Sequence, residues 1–431
     1  MTPGSTAAEL VVPDGTAADE LRVRLRGWLA EHAPPGLEEV LDWNARVDLP
    51  GSVGSAVSEE QYAEAQRHPL FRAWERSCLR ARLVCPSWPR EYGGRGWQAP
   101  EMTVLDEEFY RAGLPRVDRV QGESMVGPSV ILHGTPEQKA HFLPLIISGE
   151  HRYCQGFSEP GAGSDLASAT TRGEVVGDEV VITGQKVWTS RFATANMIFV
   201  LCRTDRTAAK HRGLSYVIVP FTPGDNGIDV RPIRQMTGAR EFAEVFFDGT
   251  RALLTGVIGG LGNGWGVVRS TLAFERAAAG RATTMLVLAR ERELQALMAL
   301  ARANGRNRDP LVRQQLAWAY TQVRLLRAMW ERTIGEVTAG REPGPQLSVW
   351  KLFWSEYHLR LAAIALDIAG PDALVRPSGP GYPVDAWQDT FLLAHSGTIY
   401  AGTSEVQRNI IGENVLGLPR EPQAAPTEAR K

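Results

Sequence analysis

Gln155-Gly-Phe-Ser-Glu-Pro-Gly-Ala-Gly-Ser-Asp-Leu166 holds three glycines, a proline and two serines in twelve residues. Neither a helix nor a strand tolerates that density of Gly and Pro, so the stretch reads as a loop. The bare backbone N–H groups of such a loop can closely approach an anionic or carbonyl-bearing ligand. Thr183-Gly-Gln-Lys-Val-Trp-Thr-Ser190 follows, with a Trp beside two hydroxyls at the end of a strand pattern. Either piece alone reads as a surface turn, or as a strand with a core Trp. The pair, in this order and at this spacing, is the more specific signal.

The 431 residues are 43 % hydrophobic and 22 % charged, an ordinary globular composition long enough for two or three domains or layers. A net charge of −2 gives no broad basic field for nucleic acid or an anionic membrane. There is no apolar run of about 18 residues, so no transmembrane helix is expected. Met1–Leu10 lacks a basic segment followed by an apolar one, so no secretory signal is expected. Cys78, Cys85, Cys154 and Cys202 have no paired metal spacing and read as reduced thiols of a cytoplasmic protein. The eight histidines are scattered, and no metal site is expected.

Outward from the loop, the chain changes character twice. Residues 1–150 read as mostly helical, after a polar start to Gly15 that reads as disordered. Helix patterns cover Thr16–Glu31 (with Thr16 as cap), Glu59–Arg82, Pro100–Ala112, Ser124–His133 and Pro136–Ser148. Thr135-Pro136 supplies an N-cap and a first-turn proline. Trp88 and Tyr92 read as core anchors under a turn-rich connector. Residues 151–265 carry short segments, mostly rich in β-branched and aromatic residues: Ser168–Glu174, Glu179–Ile182, Met197–Cys202, Leu214–Phe221, Ile228–Ile233 and Glu244–Phe247. Gly177-Asp178, Gly224–Gly227 and Asp248-Gly249 read as their turns. Strands this close together, with no intervening helices, predict an antiparallel barrel or sandwich and not a Rossmann fold. From 266 to 418 the pattern is helical again, over Trp265–Arg302, Pro310–Thr338, Val349–Ala369, Asp385–Leu393 and Glu405–Val415. Residues 419–431 read as a disordered tail.

The two glycine-containing motifs and the α, β, α order resemble the acyl-CoA dehydrogenase family, in which Glu-Pro-Gly-Ala-Gly-Ser-Asp and Gly-Gln-Lys-x-Trp recur in this order. The resemblance implies an α+β fold: an N-terminal helical domain, a central antiparallel β-barrel or sandwich, and a C-terminal four-helix-type bundle. It also implies FAD as cofactor and α,β-dehydrogenation of an acyl thioester, on CoA or a carrier protein, to the 2-enoyl thioester. Phe157, Ser158, Trp188, Thr189 and Ser190 match segments lining the isoalloxazine. Ser164 matches a serine touching both flavin and acyl-CoA. Thr403 and Glu405 match C-terminal flavin contacts, and Gln314 matches a contact to the flavin of a neighbouring subunit. The family's Arg-x-x-Phe-Gly pattern is not clear around Arg302–Arg306, and its Gly-Gly stretch stands here as Ala369-Gly370-Pro371.

Removing an α-proton requires a base, and the developing charge on the thioester oxygen requires a donor. Ile399-Tyr-Ala-Gly-Thr-Ser-Glu-Val-Gln-Arg408 resembles the family segment that carries the base in many members, but the base position holds Ala401. Ala401 retains only a backbone N–H for the thioester oxygen. Leu272-Ala-Phe-Glu-Arg276 resembles the Leu-x-x-Glu-Arg helix that carries the base in isovaleryl-CoA dehydrogenase-type members, and some actinobacterial steroid side-chain members also have Glu-Arg there. The resemblance therefore makes Glu275 the base and Arg276 an acyl-CoA contact. On a helix, Glu275 has Thr271, Leu272, Ala278 and Ala279 one turn away and no cation on its own face. Implied partners are the thioester, an electron-transfer flavoprotein or other acceptor, and further subunits in a homo- or hetero-oligomer. Two alternatives remain: a non-catalytic subunit completing a partner's flavin site, and a same-fold flavin monooxygenase or oxidase.

Overall fold

The computed structural model describes residues 10, 12–13, 16–40, 64, 66–339, 341, 344–375 and 385–420, with the side chains of 38–39, 275–285 and 337–338 outside that description. The chain forms two compact units, residues 1–296 with 376–386, and residues 297–375 with 387–431.

The first unit opens with helices α1 (Ala18–His32), α2 (Leu37–Val40), α3 (Pro69–Arg80), α4 (Ala99–Arg111), α5 (Gly127–His133) and α6 (Pro136–Ser148). Helix α6 has its expected bounds because its start signals are local. Thr135 Oγ1 accepts the Gln138 N–H, and Gln138 Oε1 accepts the Thr135 N–H, a reciprocal capping box. Helix α1 starts two residues later than expected, and Ala17, not Thr16, is its N-cap. The Thr16 hydroxyl donates backwards to the Pro13 carbonyl at 2.6 Å and so is diverted from capping. Of the expected helix Glu59–Arg82, residues 59–63 and 65 lie outside the described residues, and α3 covers the second half. Trp88 is buried as expected: its Nε1 donates to the Glu123 carbonyl, and a Cβ on Gly127 would fall 1.9 Å from its ring.

Strands β1 (Tyr153–Gly156), β2 (Arg172–Val176), β3 (Glu179–Ser190), β4 (Met197–Arg203), β5 (Leu214–Pro220), β6 (Ile228–Ile233), β7 (Phe242–Leu253) and β8 (Val257–Ile258) form one sheet. Its order is β6-β7-β3-β2-β4-β5-β8, with β1 beside β4. The pairings are antiparallel except where β4 runs parallel to β1 and meets β2 at Arg172–Arg203, so the sheet is mixed. Both faces are covered. Phe199, Leu201, Tyr216 and Ile218 face the helical core, whereas Ile198, Val200, Val217 and Val219 enter a second core with Val180, Val245 and Phe247. The alternation sorts side chains between two apolar cores, which is why β4 and β5 read as continuous apolar runs.

Three local departures have physical reasons. β1 ends inside the stretch expected to be loop, because Gln155 and Gly156 pair with Phe199 and Val200. β2 starts only at Arg172, because the preceding N–H groups of Thr170 and Thr171 are claimed by the Glu159 carboxylate. Asp248-Gly249 is not a turn but a bulge within β7, with Gly249 at φ +67° and the β3–β7 register shifting between Ile182 and Gly184.

Helix α7 (Gly264–Ala303) belongs to the first unit up to Ala296. In the second unit, α8 (Pro310–Thr338) and α11 (Ser404–Ile410) both pack on α9 (Gln346–Ala369), and Phe391 and His395 of α10 (Ala386–Gly397) line a cavity with residues of α9 and α11. Among the described residues no helix is long and apolar enough to cross a membrane, and no cluster of His, Cys, Asp or Glu could hold a metal.

Candidate active site

A buried ion pair joins the two motifs of the first unit. Lys186 Nζ donates to Glu159 Oε1 at 2.8 Å and to the Phe157 carbonyl at 2.9 Å. The Val187 N–H donates to the Ser158 carbonyl at 2.9 Å. Glu159 also accepts the N–H and hydroxyl of Thr170 and the N–H of Thr171. Burial alone would push the Glu159 carboxyl up, but Lys186 and these donors hold it down at about 2. Burial pulls Lys186 down, and Glu159 opposes that pull. Past Glu159 the loop closes a tight turn, with Glu159 and Ala162 exchanging N–H to carbonyl bonds at 3.0 Å. Gly161 and Gly163 have no atom within 4 Å of where a Cβ would stand, and neither has positive φ. Among the described residues nothing in the chain itself demands glycine there, which fits a backbone that a ligand approaches.

The pairing then delivers Trp188. The β3–β7 register shifts between Lys186 and Thr189, and Trp188 sits in this bulge at φ +61°. A bulky residue in that conformation is strained, and a bulge re-aims a side chain. Trp188 is 58 % exposed and meets Phe242 edge-on at 6.0 Å. Thr189 turns inward: it is fully buried, and its Oγ1 has no hydrogen-bond partner among the described residues. A buried hydroxyl without a partner is costly unless a bound group satisfies it. Ser190 Oγ accepts a hydrogen bond from Gln121 Nε2 at 3.2 Å. Phe157 is buried edge-on against Phe199 and Tyr216, whereas Ser158 is half-buried and Ser164 is exposed. Phe157 and Ser158 are thus tied directly to Lys186 and Val187, next to Trp188, Thr189 and Ser190, and Ser164 follows on the same loop.

Glu275 and Arg276 lie on α7, with their side chains outside the described residues. One turn earlier, Thr271 is fully buried and shares a 2.7 Å hydroxyl contact with Ser129 of α5.

In the second unit Ala401 has φ +52°, and its N–H finds no acceptor among the described residues. The turn is held from behind: Gln407 Nε2 donates to the Ala401 carbonyl at 2.8 Å and Lys351 Nζ to the Gly402 carbonyl at 2.6 Å. Thr403 caps α11 by accepting the Val406 N–H. Glu405 stands in its first turn, its carboxyl lowered by hydrogen bonds from its own backbone N–H and from Thr403. A cavity of about 740 Å³ is lined by Thr403, Ser404, Glu405, Arg408, Glu356 and Arg360, and Ser404 Oγ is buried there without a partner among the described residues. Gln314 is exposed on α8. Sequence reasoning missed the Glu159–Lys186 pair, although both residues lie in the motifs it quoted. It also missed Gln121, which no local pattern marks.

Three family descriptions match successive parts of the chain: the acyl-CoA dehydrogenase N-terminal domain over residues 55–150, the middle domain over 154–250 and the C-terminal domain over 262–416. The chain is 41 % identical over 403 residues to acyl-CoA dehydrogenase IpdE1 of Mycobacterium tuberculosis, covering 94 % of this chain and 98 % of that one. It is 39 % identical over 412 residues to acyl-CoA dehydrogenase IpdE1 of Mycolicibacterium smegmatis, covering 93 % and 98 %. Among solved structures, the Tcur3481-Tcur3483 steroid ACAD matches with a TM-score of 0.74 at 30 % identity, covering 96 % of this chain and all of that one. The ChsE4-ChsE5 complex of Mycobacterium tuberculosis matches with a TM-score of 0.69 at 26 % identity, covering 95 % and 100 %. With all three domains matched in order and relatives aligned along almost their whole length, the chain belongs to the acyl-CoA dehydrogenase family of flavoprotein oxidoreductases and is an acyl-CoA dehydrogenase.

Proposed function

We propose that the protein holds FAD and introduces an α,β double bond into an acyl-CoA whose acyl group derives from a steroid. The observation that carries the flavin assignment is the bulge at Trp188, which exposes an aromatic face and buries the Thr189 hydroxyl, without a partner among the described residues. The steroid class is favoured by the likeness to a steroid ACAD. When bound, the flavin supplies the hydride acceptor for the β-carbon. Glu275 takes the α-proton. In the sequence, the helix positions one turn from Glu275 hold Thr271, Leu272, Ala278 and Ala279, and burial of a carboxylate among apolar groups favours its uncharged form and so raises its basicity, as a general base requires. The Ala401 N–H stabilises the thioester oxygen as it gains charge, and Arg276 contacts the acyl-CoA. Phe157, Ser158, Trp188, Thr189 and Ser190 hold the isoalloxazine, Ser164 serves both ligands, and Thr403 and Glu405 are flavin contacts. Electrons leave to an electron-transfer flavoprotein or similar acceptor in the cytoplasm.

Anaerobic titration with a panel of straight-chain, branched and steroid-derived acyl-CoAs tests this reading. Bleaching of the flavin band by the steroid-derived thioester alone, or far faster than by the others, is the expected result. No bleaching by any member would sink it. Trp188→Ala should weaken FAD retention or shift the flavin spectrum; an unchanged spectrum and affinity would remove Trp188 from the site.

The exposed position of Gln314 suits a contact to the flavin of another subunit, so the protein should be an oligomer. The two-component names of its structural neighbours favour a hetero-oligomer. Light scattering on the FAD-loaded protein checks this, and a monodisperse monomer that keeps its FAD would contradict it. The same neighbours, with Ala401, support a second reading: this chain completes a partner's flavin site without catalysing. Purified protein that stays colourless without its partner would favour that reading.

A further inference from the structure

Gln121 lies on none of the motifs, yet the fold builds a strained and well-anchored turn to present it. Val120, just before it, has φ +45°, which is costly for a β-branched residue. Immediately after it, Gly122–Val126 forms a π-helical turn, a feature frequent at functional sites. The turn is held on several sides. Glu123 Oε2 accepts the Arg119 N–H, the Glu123 carbonyl accepts Trp88 Nε1, and Ser124 Oγ donates to the Val120 carbonyl. Beneath it, the buried Arg116 pairs with Asp106 at 2.6 Å and lies 3.6 Å from Glu123. Gln121 itself is 8 % exposed, and its Oε1 is buried without a partner among the described residues. Its Nε2 donates to Ser190 Oγ across 69 positions of sequence.

A serine hydroxyl has one proton and two lone pairs. With Gln121 donating into one lone pair, the Ser190 proton is not consumed by that contact and is kept for another acceptor. Ser190 closes the segment that the proposed function places against the isoalloxazine. We propose that Gln121 is a positioning residue, fixing the Ser190 hydroxyl so that its proton is offered to an acceptor on the flavin ring. This rests on the flavin reading above. Replacing the amide with a carboxylate reverses the bond: Glu can only accept, so Ser190 would give its proton to residue 121 and withdraw it from the ring. Replacing it with Met removes the bond and frees the hydroxyl to rotate.

The test uses the protein in the assembly in which it is isolated, loaded with FAD. Variants Gln121→Met, Gln121→Glu, Ser190→Ala and Gln121→Glu with Ser190→Ala are compared by flavin absorbance, FAD affinity of the apoprotein and anaerobic reduction rate. A net hydrogen bond is worth about 1 kcal/mol, and each 1.4 kcal/mol is tenfold, so Gln121→Met should slow reduction by about fivefold. Gln121→Glu should slow it as much as Ser190→Ala and shift the flavin band in the same sense, and the double variant should be no worse than Ser190→Ala alone. Met at 121 serves as the second variant if Glu prevents folding. Parent-like spectra and rates in both Gln121 variants, or effects of Gln121→Glu and Ser190→Ala that add in full, would overturn the inference while leaving the flavin reading intact. A parent protein that takes up no FAD would overturn both.

Discussion

Glu275→Gln should slow anaerobic flavin reduction by ~10²–10⁴-fold, the usual cost of losing a general base, while FAD content and thioester binding persist. The substitution keeps volume and hydrogen-bonding shape and removes only basicity. Two features of the sequence carry the expectation together. The C-terminal segment has Ala401 where many relatives of this family place a carboxylate, and the α7 helix has Glu275 in Leu272-Ala-Phe-Glu-Arg276. The Ala401 side chain cannot accept a proton, and its N–H, without an acceptor among the described residues, is placed to donate. Stopped-flow reduction with one fixed acyl-CoA, compared with the parent, is the measurement. A variant that reduces its flavin as fast as the parent would remove Glu275 as base and favour the partner-subunit reading.

Lys186→Met should destabilise the first unit by about 3–5 kcal/mol, because it leaves the Glu159 charge buried without its counter-ion. Glu159→Gln should act similarly, by stranding the Lys186 ammonium. Denaturant unfolding of the parent and both single variants tests this, and changes below about 1 kcal/mol in both would show that the pair contributes little. The pair also sets an acid limit. The Glu159 carboxyl falls from an ordinary 4.5 to about 2 on folding, so its contribution is fully present above pH 4.5. That contribution is lost as pH falls from about 4.5 toward 2. The parent should therefore lose stability across that window more steeply than Glu159→Gln, which has no carboxyl to protonate there.

Helix boundaries were legible where the chain marks them locally. Pro136 and Pro310 open α6 and α8 at the expected residues, because a proline at the first helical position needs no distant partner. The helix–sheet–helix order was legible from the change in residue types. What could not be read depended on contacts across the chain. Strand β1 is four residues long and exists because Tyr153–Gly156 pairs with Met197–Val200. Asp248-Gly249 suits a turn or a bulge equally, and only the β3 partner decides. The motif residues Phe157, Ser158, Trp188, Thr189 and Ser190 were legible as a set, but the bulge that sends Trp188 outward and Thr189 inward was not. Gln121 became visible only through a contact with Ser190, 69 positions away.

The Glu159–Lys186 pair joins residues 27 positions apart, and this makes the two motifs a single inheritable cassette. A crossover between this chain and a distant relative that falls within 159–186 would part a fitted carboxylate from its ammonium wherever the parents have settled that bond differently. Crossovers on either side of the cassette would move the loop and the tryptophan together. Chimeras meant to exchange substrate range should therefore keep 157–190 from one parent. A Cβ at Gly161 or Gly163 would meet no atom among the described residues, so a side chain added there would probe the ligand's approach to the loop and leave the chain's own packing undisturbed.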